Sequence, residues 1–148
     1  MTSINPNDCL YYLISRATLV TTSALKKDFE IAGIPEMKPA YLGVLLSLWK
    51  EDGLQSAELG RKAGLEPSTM TGLLDRMERD ALILRQADPN DRRAQRIYLT
   101  QNGRNLQESV MAIVNQTLNR MNAGISVEEI NVVKKTLKTL LSNSLGGQ

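Results

Sequence analysis

The chain has 148 residues, 42% of them hydrophobic, the size of one domain with a real core. It carries a net charge of +2, no histidine and a single cysteine, so it lacks the usual ligands of a transition-metal site and cannot close an internal disulfide. No stretch approaches the roughly 18 consecutive apolar residues of a membrane span, and the start has no basic-then-apolar leader pattern, so a cytoplasmic protein without metal or other cofactor is expected.

Leu10, Leu13, Ile14, Ala17, Val20 and Ala24 recur at helical spacing and predict a first long helix that ends before Gly33-Ile34-Pro35. After Pro39 the run Tyr41, Leu42, Val44, Leu45, Leu46, Leu48 and Trp49 is apolar on nearly every side, as expected of a core helix, and Asp52-Gly53 stops it. Residues 55–63 predict a short helix closed by Gly64, and Glu66-Pro67-Ser68 opens another with proline at an early helical position. Two short helices meeting at a tight turn have the form of a helix-turn-helix, although that pattern alone is common.

The second short helix divides its faces. Met70, Leu73, Leu74 and Met77 form an inward stripe, leaving Ser68, Thr69, Thr71, Gly72, Asp75, Arg76 and Arg79 outside. Small hydroxyl residues near its start permit close approach to a phosphate, where the helix dipole also favours an anion, and Arg76 lies two turns further along. The same division also describes an ordinary amphipathic surface helix. Charge along the chain is uneven: residues 1–60 carry −2, residues 61–104 carry +3 and residues 105–148 carry +1. The middle segment is rich in arginine, whose planar guanidinium suits phosphates and base edges.

Leu82 to Ala87 and Arg96 to Leu99 read as two short strands around a polar tip, Asp88-Pro89-Asn90-Asp91-Arg92-Arg93. A hairpin wing directly after a recognition helix places an arginine in the narrow minor groove while the helix occupies the major groove. Asp88 and Asp91 would repel phosphate, so they are expected to orient the arginines. After Thr100, Leu106, Val110, Ile113, Val114 and Met121 predict a long amphipathic helix. Ser126-Val127-Glu128-Glu129 is a capping box that opens a last one, with Ile130, Val133, Leu137, Leu140 and Leu141 at packing spacing. That stripe packs within its own subunit or against a second copy, and two terminal amphipathic arms favour the second copy.

Leu73-Leu74-Asp75-Arg76-Met77-Glu78-Arg79-Asp80-Ala81-Leu82-Ile83, the Asp88 to Arg93 tip and Leu99-Thr100-Gln101-Asn102-Gly103, in that order, strongly resemble the MarR family of bacterial regulators. The resemblance covers about the whole chain. It implies a mainly α fold with a small β-hairpin wing: a winged helix-turn-helix lobe over about residues 38–100, with dimerisation helices over about 7–32 and 101–146 of a single domain 1–148. It also implies a homodimer that often represses genes, and a symmetric dimer on double-stranded DNA is expected to prefer an inverted repeat.

Position by position, the resemblance puts Arg93 in the minor groove, Arg92 near the backbone, Asp91 as the acidic partner steadying the tip, and Ser68, Thr69, Thr71 and Arg76 on the DNA-facing helix, with Arg79 beside them. The family often has glycine where Ala81 stands. A crevice between dimer arms and DNA-binding lobe is implied too, with Tyr11, Tyr12, Arg16, Tyr41 and Trp49 as candidate lining for a small aromatic or anionic effector that releases the DNA. Tyr41 and Trp49 fit a purely core role equally well. An alternative is oxidation sensing at Cys9, roughly where peroxide-sensing members keep a reactive cysteine but about one residue displaced when Arg16 is the anchor, with no histidine or second cysteine to assist.

Two other function classes compare poorly. An enzyme needs an acid-base or nucleophile constellation, and the chain has no histidine, Gly-rich phosphate loop or suggestive carboxylate pair. A winged helix that binds protein would have no need of the Asp-Arg-Arg tip.

Overall fold

Among the described residues, six α-helices and a small sheet follow one another in the order α1 (Leu10–Ile31), α2 (Leu42–Lys50), β1 (Leu54–Gln55), α3 (Ser56–Ala63), α4 (Pro67–Arg79), β2 (Ile83–Asp88), β3 (Asp91–Leu99), α5 (Gln101–Met121) and α6 (Val127–Leu145). These belong to a computed structural model that describes residues 3–145, so the expected helix end at 146 and the termini of the 1–148 domain reading lie outside the described residues. The chain divides into two compact units, residues 1–117 and 118–148.

Within the first unit, α1 stops where Gly33 turns to φ +80° and the Ile34 amide reaches back to the Phe29 carbonyl. Its helical period is the predicted one, but the face differs. Only Leu25 and Phe29 of α1 are buried, while Leu10, Leu13 and Val20 are exposed, because the helix outruns the core of its own unit. That core is built from Phe29, Met37, Tyr41, Val44, Leu45 and Leu48 together with Leu59, Leu73, Met77, Ile83, Ile97 and Val110. Val44, Leu45 and Leu48 of α2 lie in its middle, and Leu46 is exposed.

The sheet is antiparallel in the order β1-β3-β2, with Leu54 opposite Ile97 and Ile83 opposite Leu99. A two-residue strand at 54–55 has no periodicity to reveal it, so β1 is absent from the sequence reading, and the helix expected from residue 55 begins at Ser56 instead. The wing differs from expectation as well. Its strands extend to the Asp88↔Asp91 pair, leaving Pro89 and Asn90 as a two-residue turn in place of a six-residue tip. Arg92 and Arg93 are therefore strand residues.

The turn from α4 into β2 closes on Leu82, whose amide donates to the Met77 carbonyl while the Ala81 amide donates to Glu78. That pattern requires a left-handed residue in between, and Ala81 supplies it at φ +61° where the resembled family often has glycine. Ala81 is exposed, so nothing but the backbone opposes a change. Ala81→Gly is expected to stabilise the unit by about 1 kcal/mol, seen as a higher midpoint in thermal unfolding.

In the second unit, α6 opens as its sequence predicts: the Glu129 amide donates to Ser126 Oγ at 3.1 Å and the Ser126 amide to Glu129 Oε1 at 3.2 Å. Val132, Val133, Leu137, Leu140 and Leu141 are exposed on it.

Candidate nucleic-acid interface

α3 ends on Gly64, whose φ of +71° allows a turn of three residues before Pro67 starts α4. Met70, Leu73, Leu74 and Met77 anchor α4 in the core, and Ser68, Thr69, Thr71, Arg76 and Arg79 stand on its exposed side. The hydroxyls of Ser68 and Thr69 have no hydrogen-bond partner among the described residues; Thr71 Oγ1 donates to the Pro67 carbonyl at 3.2 Å. Arg76 Nη1 lies 3.4 Å from where a Cβ on Gly72 would sit, so the bare Gly72 leaves room for the guanidinium along the helix surface.

Asp88 anchors the base of the wing turn. It is 5% exposed, and its carboxylate accepts from the Asn90 amide at 2.8 Å, Gln55 Nε2 at 2.8 Å and Arg96 Nε at 2.9 Å. Arg96 Nη1 in turn donates to the Gly53 carbonyl at 2.8 Å. One carboxylate thus joins the hairpin turn, the far wing strand and the segment entering α3. Asp88 therefore orients Arg96, a residue absent from the sequence-derived site, and not the tip arginines; Gln55 and Arg96 lie too far along the chain from it for spacing to reveal the link. Asp91 Oδ1 accepts from the Arg93 amide at 3.0 Å.

Those hydrogen bonds, first from Asn90 and then from Gln55, hold the Asp88 carboxyl below its ordinary range. Arg85 does the same for Glu78. A carboxyl depressed in the folded state stabilises above its unfolded pKa of about 4, and that contribution disappears as pH falls through the lower folded value. Thermal midpoints are accordingly expected to decline below about pH 4, with a shallower acid limb in Asp88→Asn than in the parent.

The arginines of the middle segment fall into two groups. Arg85 is clamped by Asp75 at 2.8 Å and Glu78 at 2.9 Å, Arg96 by Asp88, and Arg104 donates to the Leu99 carbonyl at 3.0 Å with Asp52 3.9 Å away. Arg61, Arg76, Arg79, Arg92 and Arg93 are exposed and form no ion pair among the described residues. On α4, Asp75 and Glu78 both pair with Arg85, whose single charge offsets one of their two. A groove of about 780 Å³ lies between α3, the start of α4 and the wing, lined in part by Arg61, Thr71, Arg92, Arg93 and Gln95.

The other candidate residues are dispersed. Tyr41 is buried and donates to Asp80 Oδ2 at 2.6 Å; burial first, and then this bond, push its hydroxyl up to about 12, so it stays a donor. Trp49 is half-buried and donates Nε1–H to the Gly103 carbonyl at 2.9 Å. Both side chains are committed to the fold of the first unit. Tyr11, Tyr12 and Arg16 are exposed on α1, and Cys9, half-buried, is the residue preceding that helix. Among the described residues no helix is long and apolar enough to cross a membrane, and no cluster of His, Cys, Asp and Glu is arranged to hold a metal.

A helix-turn-helix followed by a two-stranded wing, with unpaired arginines on both, defines a winged helix-turn-helix DNA-binding protein. The sequence profile of the MarR family matches residues 39–94, from just before α2 into the wing. The organic hydroperoxide resistance transcriptional regulator of Bacillus subtilis (strain 168) is 35% identical over 103 residues, 70% of this chain and 68% of that one. The HTH-type transcriptional regulator TtmR of Methylorubrum extorquens (strain PA1) is 44% identical over 69 residues, 47% of this chain but only 35% of TtmR. The crystal structure of a MarR family transcriptional regulator from Rhodococcus sp. RHA1 superposes with a TM-score of 0.79 at 27% identity, covering 93% of this chain and 96% of that one. The chain belongs to the MarR family and is a DNA-binding transcriptional regulator.

Proposed function

We propose that the protein binds an inverted repeat in duplex DNA as a homodimer, with α4 in the major groove, the wing in the adjacent minor groove and Arg93 at its leading edge. The observation that carries this reading is the set of five exposed arginines on α3, α4 and the wing that form no ion pair among the described residues. Arg92 and the N-terminal hydroxyls Ser68, Thr69 and Thr71 serve the backbone, and Arg76 serves a base edge. Residues 38–100 form the reading lobe in this proposal, and 7–32 and 101–146 the dimerisation arms. Two separate apolar faces support the arms: Leu10, Tyr11, Leu13 and Leu19 exposed on α1, and Val132, Val133, Leu137, Leu140 and Leu141 on α6.

The protein acts in the cytoplasm as a repressor released by a small aromatic or anionic ligand, with Tyr11, Tyr12 and Arg16 as the available recognition groups. Oxidation at Cys9 is the second reading, favoured by the hydroperoxide-resistance relative. Titrating the protein–DNA complex with a phenolic panel and, separately, with an organic hydroperoxide decides between them by which one dissociates it.

Selection of the purified protein against random duplex DNA at near-physiological salt tests the reading itself. Enrichment of an inverted repeat with half-sites about 34–36 Å apart is expected, and salt-sensitive binding without enrichment would refute sequence-specific recognition. On the selected site, Arg76→Ala is expected to relax preference at one position by about 1–3 kcal/mol, measured by competition against single-base variants; equal losses on specific and random DNA would rule out base reading there.

A further inference from the structure

We infer that the groove between α3, the start of α4 and β3 seats one sugar-phosphate strand of the duplex, and that Arg61 on its α3 wall holds a phosphate there. The inference rests on the DNA reading above and deepens it. A helix in the major groove and a wing in the neighbouring minor groove are separated by the one backbone strand that divides the two grooves. The space this protein leaves between those elements is the 780 Å³ groove.

A polyanion enters such a space only if its walls offer donors and little negative charge. The lining includes Arg61, Arg92 and Arg93, together with Thr71 and Gln95. Among the described residues Asp91 is the one carboxylate that lines it, and its Oδ1 accepts from the Arg93 amide.

The last turn of α3 holds two adjacent cations with different fates. Lys62 lies 3.9 Å from both Glu51 and Glu58, whereas Arg61 faces the groove, exposed and without an ion pair. Glu58, the carboxylate nearest Arg61 along the helix, is thereby engaged elsewhere. An exposed arginine held on a rigid helix, facing the wing arginines across a groove, grips a phosphate from the side opposite the wing. It carries no base information, so it adds affinity on every sequence alike.

The test is the salt dependence of Kd for the full chain on the selected site and on a random duplex of equal length, comparing parent, Arg61→Gln and Arg61→Lys. Arg61→Gln is expected to lower the slope of log Kd against log salt by about one on both duplexes, so that the change in Kd between about 50 and 200 mM salt shrinks by about 3.5-fold. Arg61→Lys should keep the parental slope, and all three should unfold at the same temperature. A second arm replaces single phosphates by neutral methylphosphonates: at one position in each half-site the difference between parent and Arg61→Gln should vanish. A parental slope in Arg61→Gln, with the parent itself steeply salt-dependent, overturns the inference and leaves the DNA reading standing. A parent that binds neither duplex overturns both.

Discussion

Gly103→Ala is expected to destabilise the first unit by about 3 kcal/mol, lowering the thermal midpoint by about 6–12 °C. An added Cβ would collide with the Leu82 carbonyl oxygen and sit 3.1 Å from Leu99 Cδ2. The carbonyl has no freedom to retreat: it accepts from the Thr100 amide at 3.0 Å, and its neighbour at Ala81 accepts from Thr100 Oγ1 at 2.6 Å. Alanine in place of glycine within a helix ordinarily stabilises by about 0.5–1 kcal/mol, so here the sign itself is diagnostic. Trp49, the sole tryptophan, donates to the Gly103 carbonyl, so its fluorescence reports the displaced backbone directly while circular dichroism gives the midpoint. An unchanged or raised midpoint would contradict the close approach.

Arg93→Ala is expected to weaken DNA binding by about 1–3 kcal/mol with a salt slope lower by about one. The loss should be greater on sites with A/T-rich flanks, whose narrow minor groove concentrates negative potential, than on the same site with G/C flanks. Stability should not change. The Arg93 side chain has no ion pair among the described residues, and the bond to Asp91 Oδ1 comes from the Arg93 amide, which alanine retains. Fluorescence anisotropy with both flank types is the measurement, and equal losses on the two would place Arg93 on the backbone instead of in the minor groove.

Much of the fold is legible in order because helix signals are local. Gly33, Gly64 and the Ser126 to Glu129 box act within a few residues, and the elements end or begin where they stand. The division of α4 into a buried stripe and an exposed face is legible for the same reason, since the 3.6-residue period encodes it. Burial on α1 was not legible: periodicity says that a face is apolar, and not whether the same subunit covers it.

The site was legible in composition but not in roles. Eight arginines lie between residues 61 and 104, and nothing in their spacing separates Arg85, Arg96 and Arg104, which hold the lobe together, from Arg61, Arg76, Arg79, Arg92 and Arg93, which are left free. That sorting depends on carboxylates brought near by folding, and an ion pair forms only within a few ångströms whatever the separation along the chain. Asp88 is the clearest case, a residue of the polar tip that folding draws under the wing onto Gln55 and Arg96, 33 and 8 positions away. Local patterning by itself determined the order and type of the helices, the wing and the basic segment, because propensity, capping and periodicity act over one or two turns. Tertiary structure alone decided the short strand β1, the identity of the free arginines and the need for glycine at 103, because each depends on which distant atoms come within contact distance.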